Sequence, residues 1–290
     1  ARATEEAGFD AFFRSDHLFG VDPHDLTYRP TDCWTTLGGL ARDTARVRLG
    51  SLVTAATYRQ PGLLATIVAS VDEMSGGRVE LGIGTGWYER EHAAFGLPFP
   101  PTRERFDRLA EELAVITGLW RTPAGADPGF SFHGKHFHID DNRTPPRQTQ
   151  SPHPPIIVGG TGPKRTPAIA ARFADEFNGA LSKDLRATFA GFDRACEAIG
   201  RDPAEAGHSG VLPVACGSTT AEALRRGEVM GSERIRAAAA IGPPDLVTER
   251  VAAMAKDGAD TVYLHIFDIH DLDHIALIGA EVLPHVARTG

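Results

Sequence analysis

Residues 81–91 read LGIGTGWYERE. Three glycines alternate with small or apolar residues at the end of an apolar run that begins at Val79. A glycine-rich turn after a strand suggests the dinucleotide-binding fingerprint G-x-G-x-x-G, whose third glycine lets the next helix pack closely. Counted from Gly82, that third position is Trp87; counted from Gly84, it is Glu89. Both registers fail, so this is not a Rossmann loop. The glycines then need another reason, and the expectation is a backbone lying against a ligand at the mouth of a barrel.

The surrounding rhythm supports a barrel. Seven strand-like segments are expected, near 9–14, 47–53, 79–83, 155–158, 176–178, 210–216 and 261–266. Helical patterns separate them. Leu64, Ile67, Val71 and Met74 are spaced as one helical face, closed by Gly76 and Gly77. Phe106, Leu109, Leu113, Ile116 and Trp120 repeat the pattern on a helix with a charged outer face. Strands alternating with helices imply a parallel sheet covered by helices. The chain opens with ARATEEAGFD, which reads as the end of a helix with Gly8 just beyond it. A closed barrel needs eight strands. The expected fold is therefore an α/β (β/α)8 barrel lacking its first strand at the N-terminus, with an open doubly wound sheet as the competitor. Residues 1–290 form one expected domain, with 121–154 as a Pro- and Gly-rich excursion over it, carrying a hairpin that turns near Gly134.

Composition narrows the function. The 290 residues carry a formal net charge of −8, which argues against a nucleic-acid surface and against docking on anionic membranes. No apolar run approaches the roughly 20 residues of a membrane span. Cys33, Cys196 and Cys216 are far apart and form no CxxC pair, so neither a zinc knuckle nor a dithiol site is signalled. A reduced, cytoplasmic protein is expected.

In a barrel, chemistry sits at the C-terminal ends of the strands. After the first strand come Asp16 and His17, an acid beside an imidazole able to move a proton near neutral pH; the bland alternative is a solvated strand exit. After the strand at 155–158 come Gly159, Gly160, Thr161 and Gly162, then Lys164 and Arg165. Thr166 reads as the N-cap of the next helix, with Pro167 at its first turn. A helix N-terminus of this kind favours an anion such as phosphate, against the alternative of a simple tight turn. His133, His136 and His138, and the cluster His265, Asp268, His270, Asp271, Asp273 and His274, match no defined metal-ligand spacing, so no metal is expected. His265 stands apart because it ends a strand and can line the pocket.

Taken together, these strand ends resemble the luciferase-like monooxygenase superfamily, and specifically its oxidoreductases dependent on the deazaflavin coenzyme F420. The resemblance rests on GFDAFFRSDHLF, RVRLGSLVTAATYRQP, VDEMSGGRVELGIGTGWYEREHAAFG, PPIIVGGTGPKRTPAIAARFADEFN and DGADTVYLHIF, in the family's order over nearly the whole chain. It implies a flavin-like ring in the barrel mouth and a non-proline cis peptide that falls, position for position, at Ser51-Leu52. It implies that Asp16 and His17 are the polar pair beside the ring, Asp16 helping to fix the cofactor and His17 serving catalysis as general acid/base or as donor to a developing anion. It also implies that Thr85 and Gly86 touch the ring or its side chain, and that Gly159, Gly160, Thr161 and Gly162 bind the phosphate. Where the sugar-phosphate branch has an acidic residue after the Thr-Gly pair, this chain has Trp87. With Tyr88 and His265, Trp87 implies a more aromatic, less charged substrate pocket.

The function expected from the resemblance is hydride transfer between F420 and an organic small molecule, in a family whose members often dimerise. Three other readings compete. One is an FMN-dependent monooxygenase on the same fold, and another is a non-catalytic flavin-binding barrel. The third is a sugar-phosphate isomerase or aldolase, for which Lys183 lacks an evident partner.

Overall fold

The computed structural model describes residues 1–20 and 29–286. Its strands are β1 (Ala11–Arg14), β2 (Arg48–Ser51), β3 (Thr54–Ala55), β4 (Val79–Gly84), β5 (Phe130–His133), β6 (His138–Asn142), β7 (Ile156–Gly159), β8 (Glu176–Asn178), β9 (Gly207–Cys216), β10 (Ala240–Gly242) and β11 (Thr261–His265). Its helices are α1 (Arg2–Glu6), α2 (Cys33–Asp43), α3 (Pro61–Ser75), α4 (Glu89–Ala94), α5 (Thr102–Arg121), α6 (Arg165–Phe173), α7 (Leu185–Glu197), α8 (Thr220–Gly227), α9 (Glu233–Ala238), α10 (Pro244–Lys256) and α11 (Leu272–Glu281).

The seven expected strands are all present. They pair in parallel in the order β1, β2, β4, β7, β8, β9, β11, each beside its predecessor. This is the chain-order parallel pairing of an α/β barrel. Among the described residues β1 pairs only with β2 and β11 only with β9, so no ladder joins β1 to β11.

Alternation along the strands sorts the side chains. Val79, Leu81 and Ile83 of β4 join Ile156 and Val158 of β7 in the helix-covered core, while Glu80, Gly82 and Gly84 take the other face. Leu212, Val214 and Cys216 of β9 pack in a second cluster with Ile278 of α11.

Several expectations need correction. The strand expected over 47–53 stops at Ser51. There the chain steps inward through a cis peptide, which joins Leu52 and Val53 rather than Ser51 and Leu52. It rejoins the sheet as β3, beside the end of β4. The short strands β3 and β10 were not expected; two or three residues cannot show a period. On α3 the buried face runs through Leu64, Val68 and Val71, while Met74 is exposed, so the stripe is rotated from the one expected. Gly76 does end this helix, in the left-handed conformation at φ +70°. On α5 the expected stripe is buried at Leu109, Leu113, Ile116 and Trp120, but so is Glu112, whose charge burial opposes strongly. The helix after β7 begins earlier than expected: Lys164 is its N-cap, and Thr166 lies buried in its first turn without capping it.

The 130–142 hairpin runs along α5. Glu111 accepts the backbone N–H groups of Lys135, His136 and Phe137.

Candidate active site

The C-terminal ends of β1, β4, β7 and β11 define one mouth. Its base is the inward step after β2. Ser51 is fully buried and its hydroxyl donates to the Gly82 carbonyl at 2.8 Å. A Cβ on Gly82 would sit 2.0 Å from the Ser51 carbonyl oxygen. Cβ atoms on Gly84 and Gly159 would each lie 3.1 Å from a methyl of Val53. The glycines of β4 and β7 are therefore small because residues 51–53 cross them. The expected reason was a ligand; the observed neighbour is the chain itself.

Asp16 follows β1 and is buried. It accepts from Thr54 Oγ1 at 2.9 Å, and Thr54 in turn accepts from Trp34 Nε1 at 3.0 Å. Arg59 bridges Asp16 and Asp32, donating to the latter at 2.6 Å. Burial still pushes the Asp16 carboxyl above its ordinary range, against Arg59 and Thr54. Asp16 is thus the anchor that fixes the exit of β1.

His17, the next residue, points to a different carboxylate. Its Nδ1 lies 3.1 Å from Glu91 Oε2, and the Tyr58 hydroxyl donates to the same oxygen. The other oxygen of Glu91 accepts the backbone N–H groups of Leu18 and Phe19. Glu91 is fully buried. Burial works against its charge, but His17, Tyr58 and the Leu18 amide outweigh it and hold its pKa below the usual carboxylate range. An ionised carboxylate only accepts, so Nδ1 of His17 carries the proton. The neutral ring then presents Nε2 as its acceptor, oriented as a base would need to be.

Glu91 sits in α4, behind a fully buried His92 that bridges Thr57 Oγ1 at 2.6 Å and the Tyr88 carbonyl at 2.8 Å. Trp87 and Tyr88 stand beside His17, with ring centroids 5.7 and 6.2 Å away. Thr85 and Gly86 lie between them and the end of β4, where Gly86 takes φ +75°. His265, at the end of β11, stacks on Phe267 at 4.1 Å. Its ring keeps an open edge, yet the surrounding wall and the nearby His17 lower its pKa to about 4.

At the end of β7, the Gly160 amide donates to Asn178 O at 3.1 Å. Among the described residues the amides of Thr161 and Gly162 donate to no protein group, and both stand before the N-terminus of α6. Arg165 is turned away, to Asp107 and the Arg103 carbonyl on α5.

The structure thus brings Asp16, His17, Trp87, Tyr88 and His265 to one mouth, with Leu52 at its base and residues 159–162 on its rim. The histidine-rich segments lie elsewhere in function. Asp271 caps α11 and pairs with Arg226, and His274 accepts the Cys216 amide. Among the described residues no group of three or more His, Cys, Asp or Glu side chains is arranged to hold a metal ion. No helix among them is long and apolar enough to cross a membrane. Sequence reasoning missed Glu91, Tyr58 and Arg59. All three lie inside segments that had been singled out, TYRQP and WYEREHAAFG, but nothing in their spacing marks them as partners of Asp16 and His17.

The strand ends of a parallel α/β barrel thus gather an oriented histidine and open backbone amides. The chain belongs to the luciferase-like monooxygenase family, which matches residues 1–230. It is similar to an F420-dependent glucose-6-phosphate dehydrogenase of Microbacterium testaceum (strain StLB037), 36% identical over 62% of this chain and 51% of that one. It is also similar to an FMNH(2)-dependent dimethylsulfone monooxygenase of Pseudomonas putida, 27% identical over 78% of this chain and 70% of that one. The chain spans about half the length of the F420-dependent dehydrogenases it matches. Among solved structures, an F420-dependent secondary alcohol dehydrogenase in complex with an F420-acetone adduct superposes with a TM-score of 0.82, covering 98% of this chain and 92% of that one. At 19% identity that likeness is one of fold.

Proposed function

We propose that the chain is an oxidoreductase that transfers a hydride between coenzyme F420 and an organic small molecule. The observation that carries this reading is His17 held by buried Glu91 and Tyr58 at the mouth of a barrel whose relatives include F420-dependent dehydrogenases.

The residues present fit the coenzyme. The unpartnered amides of Thr161 and Gly162 before α6 suit a phosphate, with Gly159 and Gly160 leading into that turn. Leu52, Thr85 and Gly86 would meet the ring, with Ser51 and Asp16 supporting them from behind. When bound, the deazaflavin supplies a two-electron hydride acceptor or donor. The protein does the rest. In the oxidative direction, Nε2 of His17 takes the substrate hydroxyl proton as the carbon-bound hydrogen leaves as hydride. In the reductive direction, it returns that proton to the new alkoxide. Glu91 holds the ring in the tautomer this requires and stabilises the imidazolium. The buried free cysteines, Cys33, Cys196 and Cys216, suit a reducing, cytoplasmic setting.

The test compares the wild type with His17→Ala and Glu91→Gln on a panel of alcohols, following bleaching of the deazaflavin. We expect His17→Ala to lower turnover about 100-fold or more, the usual scale of acid–base catalysis. Glu91→Gln should lower kcat by a smaller factor with little change in KM. Both should still bind the coenzyme. Undiminished turnover in His17→Ala would remove His17 from the mechanism.

A second reading keeps the mouth and uses reduced FMN with oxygen. The Pseudomonas putida relative supports it.

A further inference from the structure

Three consecutive residues after β3 each reach a different member of the mouth. Thr57 bonds His92 at 2.6 Å, Tyr58 donates to Glu91, and Arg59 donates to Asp16. The Tyr58 contact bears directly on His17. Its hydroxyl and His17 Nδ1 share one oxygen, Oε2 of Glu91, while the Leu18 and Phe19 amides take Oε1. Four donors thus fill the lone-pair positions of one buried carboxylate. An ionised carboxylate only accepts, so the phenol proton is committed to it. Tyr58 keeps that proton, because burial and Glu91 itself push its pKa above the ordinary tyrosine range.

The other groups around His17 leave its protonation to this oxygen. Asp16 is offset by Arg59. His265, with its pKa lowered to about 4, is uncharged at neutral pH. Trp87 and Tyr88 meet the imidazole with their rings, at 5.7 and 6.2 Å. A carboxylate bonded to the imidazole alone would favour the imidazolium. An imidazolium donates from both nitrogens and leaves no acceptor at Nε2.

We infer that Tyr58 is a positioning residue that restrains the basicity of His17: by donating to Oε2 it takes up part of the charge that would otherwise hold a second proton on the ring. The consequence for turnover rests on the reading of His17 as the acid/base; the effect on the ring does not. A base must be unprotonated at the working pH to take a proton.

The experiment is an NMR titration of the imidazole nitrogens in the wild type, Tyr58→Phe and Glu91→Gln, with the His17 signal assigned by its loss in His17→Ala. Tyr58→Phe keeps the ring that lies 5.1 Å from His92 and removes only the hydroxyl. The His17 midpoint should then move up by about 0.5–1 in pH, a fraction of what a hydrogen bond to a charged group is worth. For the best alcohol of the panel, the acid limb of kcat/KM should move with it while KM changes little. 3-Fluorotyrosine in place of Tyr58, a stronger donor of nearly the same shape, should move the midpoint down, as should Glu91→Gln. A midpoint that stays or falls in Tyr58→Phe would overturn the inference, and so would one that the fluorinated ring leaves in place or raises. If the midpoints shift as expected but the kcat/KM profile does not follow, His17 loses its acid/base role and its restraint by Tyr58 stands.

Discussion

A buried and a half-buried glutamate of the barrel have opposite fates, and the difference lies in their partners. Glu91 keeps its charge because two backbone amides, a histidine and a tyrosine hydroxyl converge on it. Among the described residues Glu176, at the start of β8, accepts only from Ser209 Oγ at 2.5 Å and Tyr263 at 2.9 Å, and it faces the charge of Glu80. Burial, the larger cause, pushes its pKa from 4.5 up to about 7. Below pH about 4.5 the group is protonated whether the chain is folded or not. As pH rises to about 7, the unfolded chain releases the proton first, so folding stability is lost. The full loss above that range is up to about 3 kcal/mol, less what partial exposure screens away. Glu176→Gln should therefore lose less stability than the wild type between pH 5 and pH 8, as read from denaturant midpoints. Parallel declines would show that Glu176 ionises normally. At this scale the sequence was half legible. Asp16 and His17 stand directly after a strand, where a barrel places its chemistry. Glu91 was hidden because Glu89 and Glu91 open a short helix, where acidic residues ordinarily just meet the helix dipole.

The element whose meaning changed most is β4. Its position and direction were readable from apolar residues every second place. The purpose of its glycines was not, because the contact is with a segment some 30 residues earlier that leaves its own strand to cross over. Gly82 has the stricter requirement, since a Cβ there meets backbone, the Ser51 carbonyl oxygen, at 2.0 Å. Gly84 meets the Val53 side chain at 3.1 Å and Gly159 O at 3.3 Å. Gly82→Ala should lower stability by at least the ~1–3 kcal/mol of core overpacking, a fall in Tm of at least about 2–5 °C. Gly84→Ala should cost less. A Gly82→Ala protein that melts with the wild type would contradict the crossing at Ser51. The cis peptide shows the same limit of reading: it was expected at Ser51-Leu52, but it lies one residue later, between Leu52 and Val53.

On the scale of the whole molecule, the order of strands and helices carried most of the architecture. Seven apolar runs separated by helical stripes leave few parallel arrangements, and the observed pairing follows chain order. What the order could not convey is which polar side chains meet across the mouth, since His17 and Glu91 come from different turns of the barrel. The mouth as a whole is proposed to be an F420 site with a histidine base. It is tested most directly by equilibrium titration of the protein with F420 and, separately, with FMN, each followed by cofactor fluorescence. Saturable quenching of F420 is expected at concentrations below those needed for FMN. Tight FMN binding with no response to F420 would contradict it.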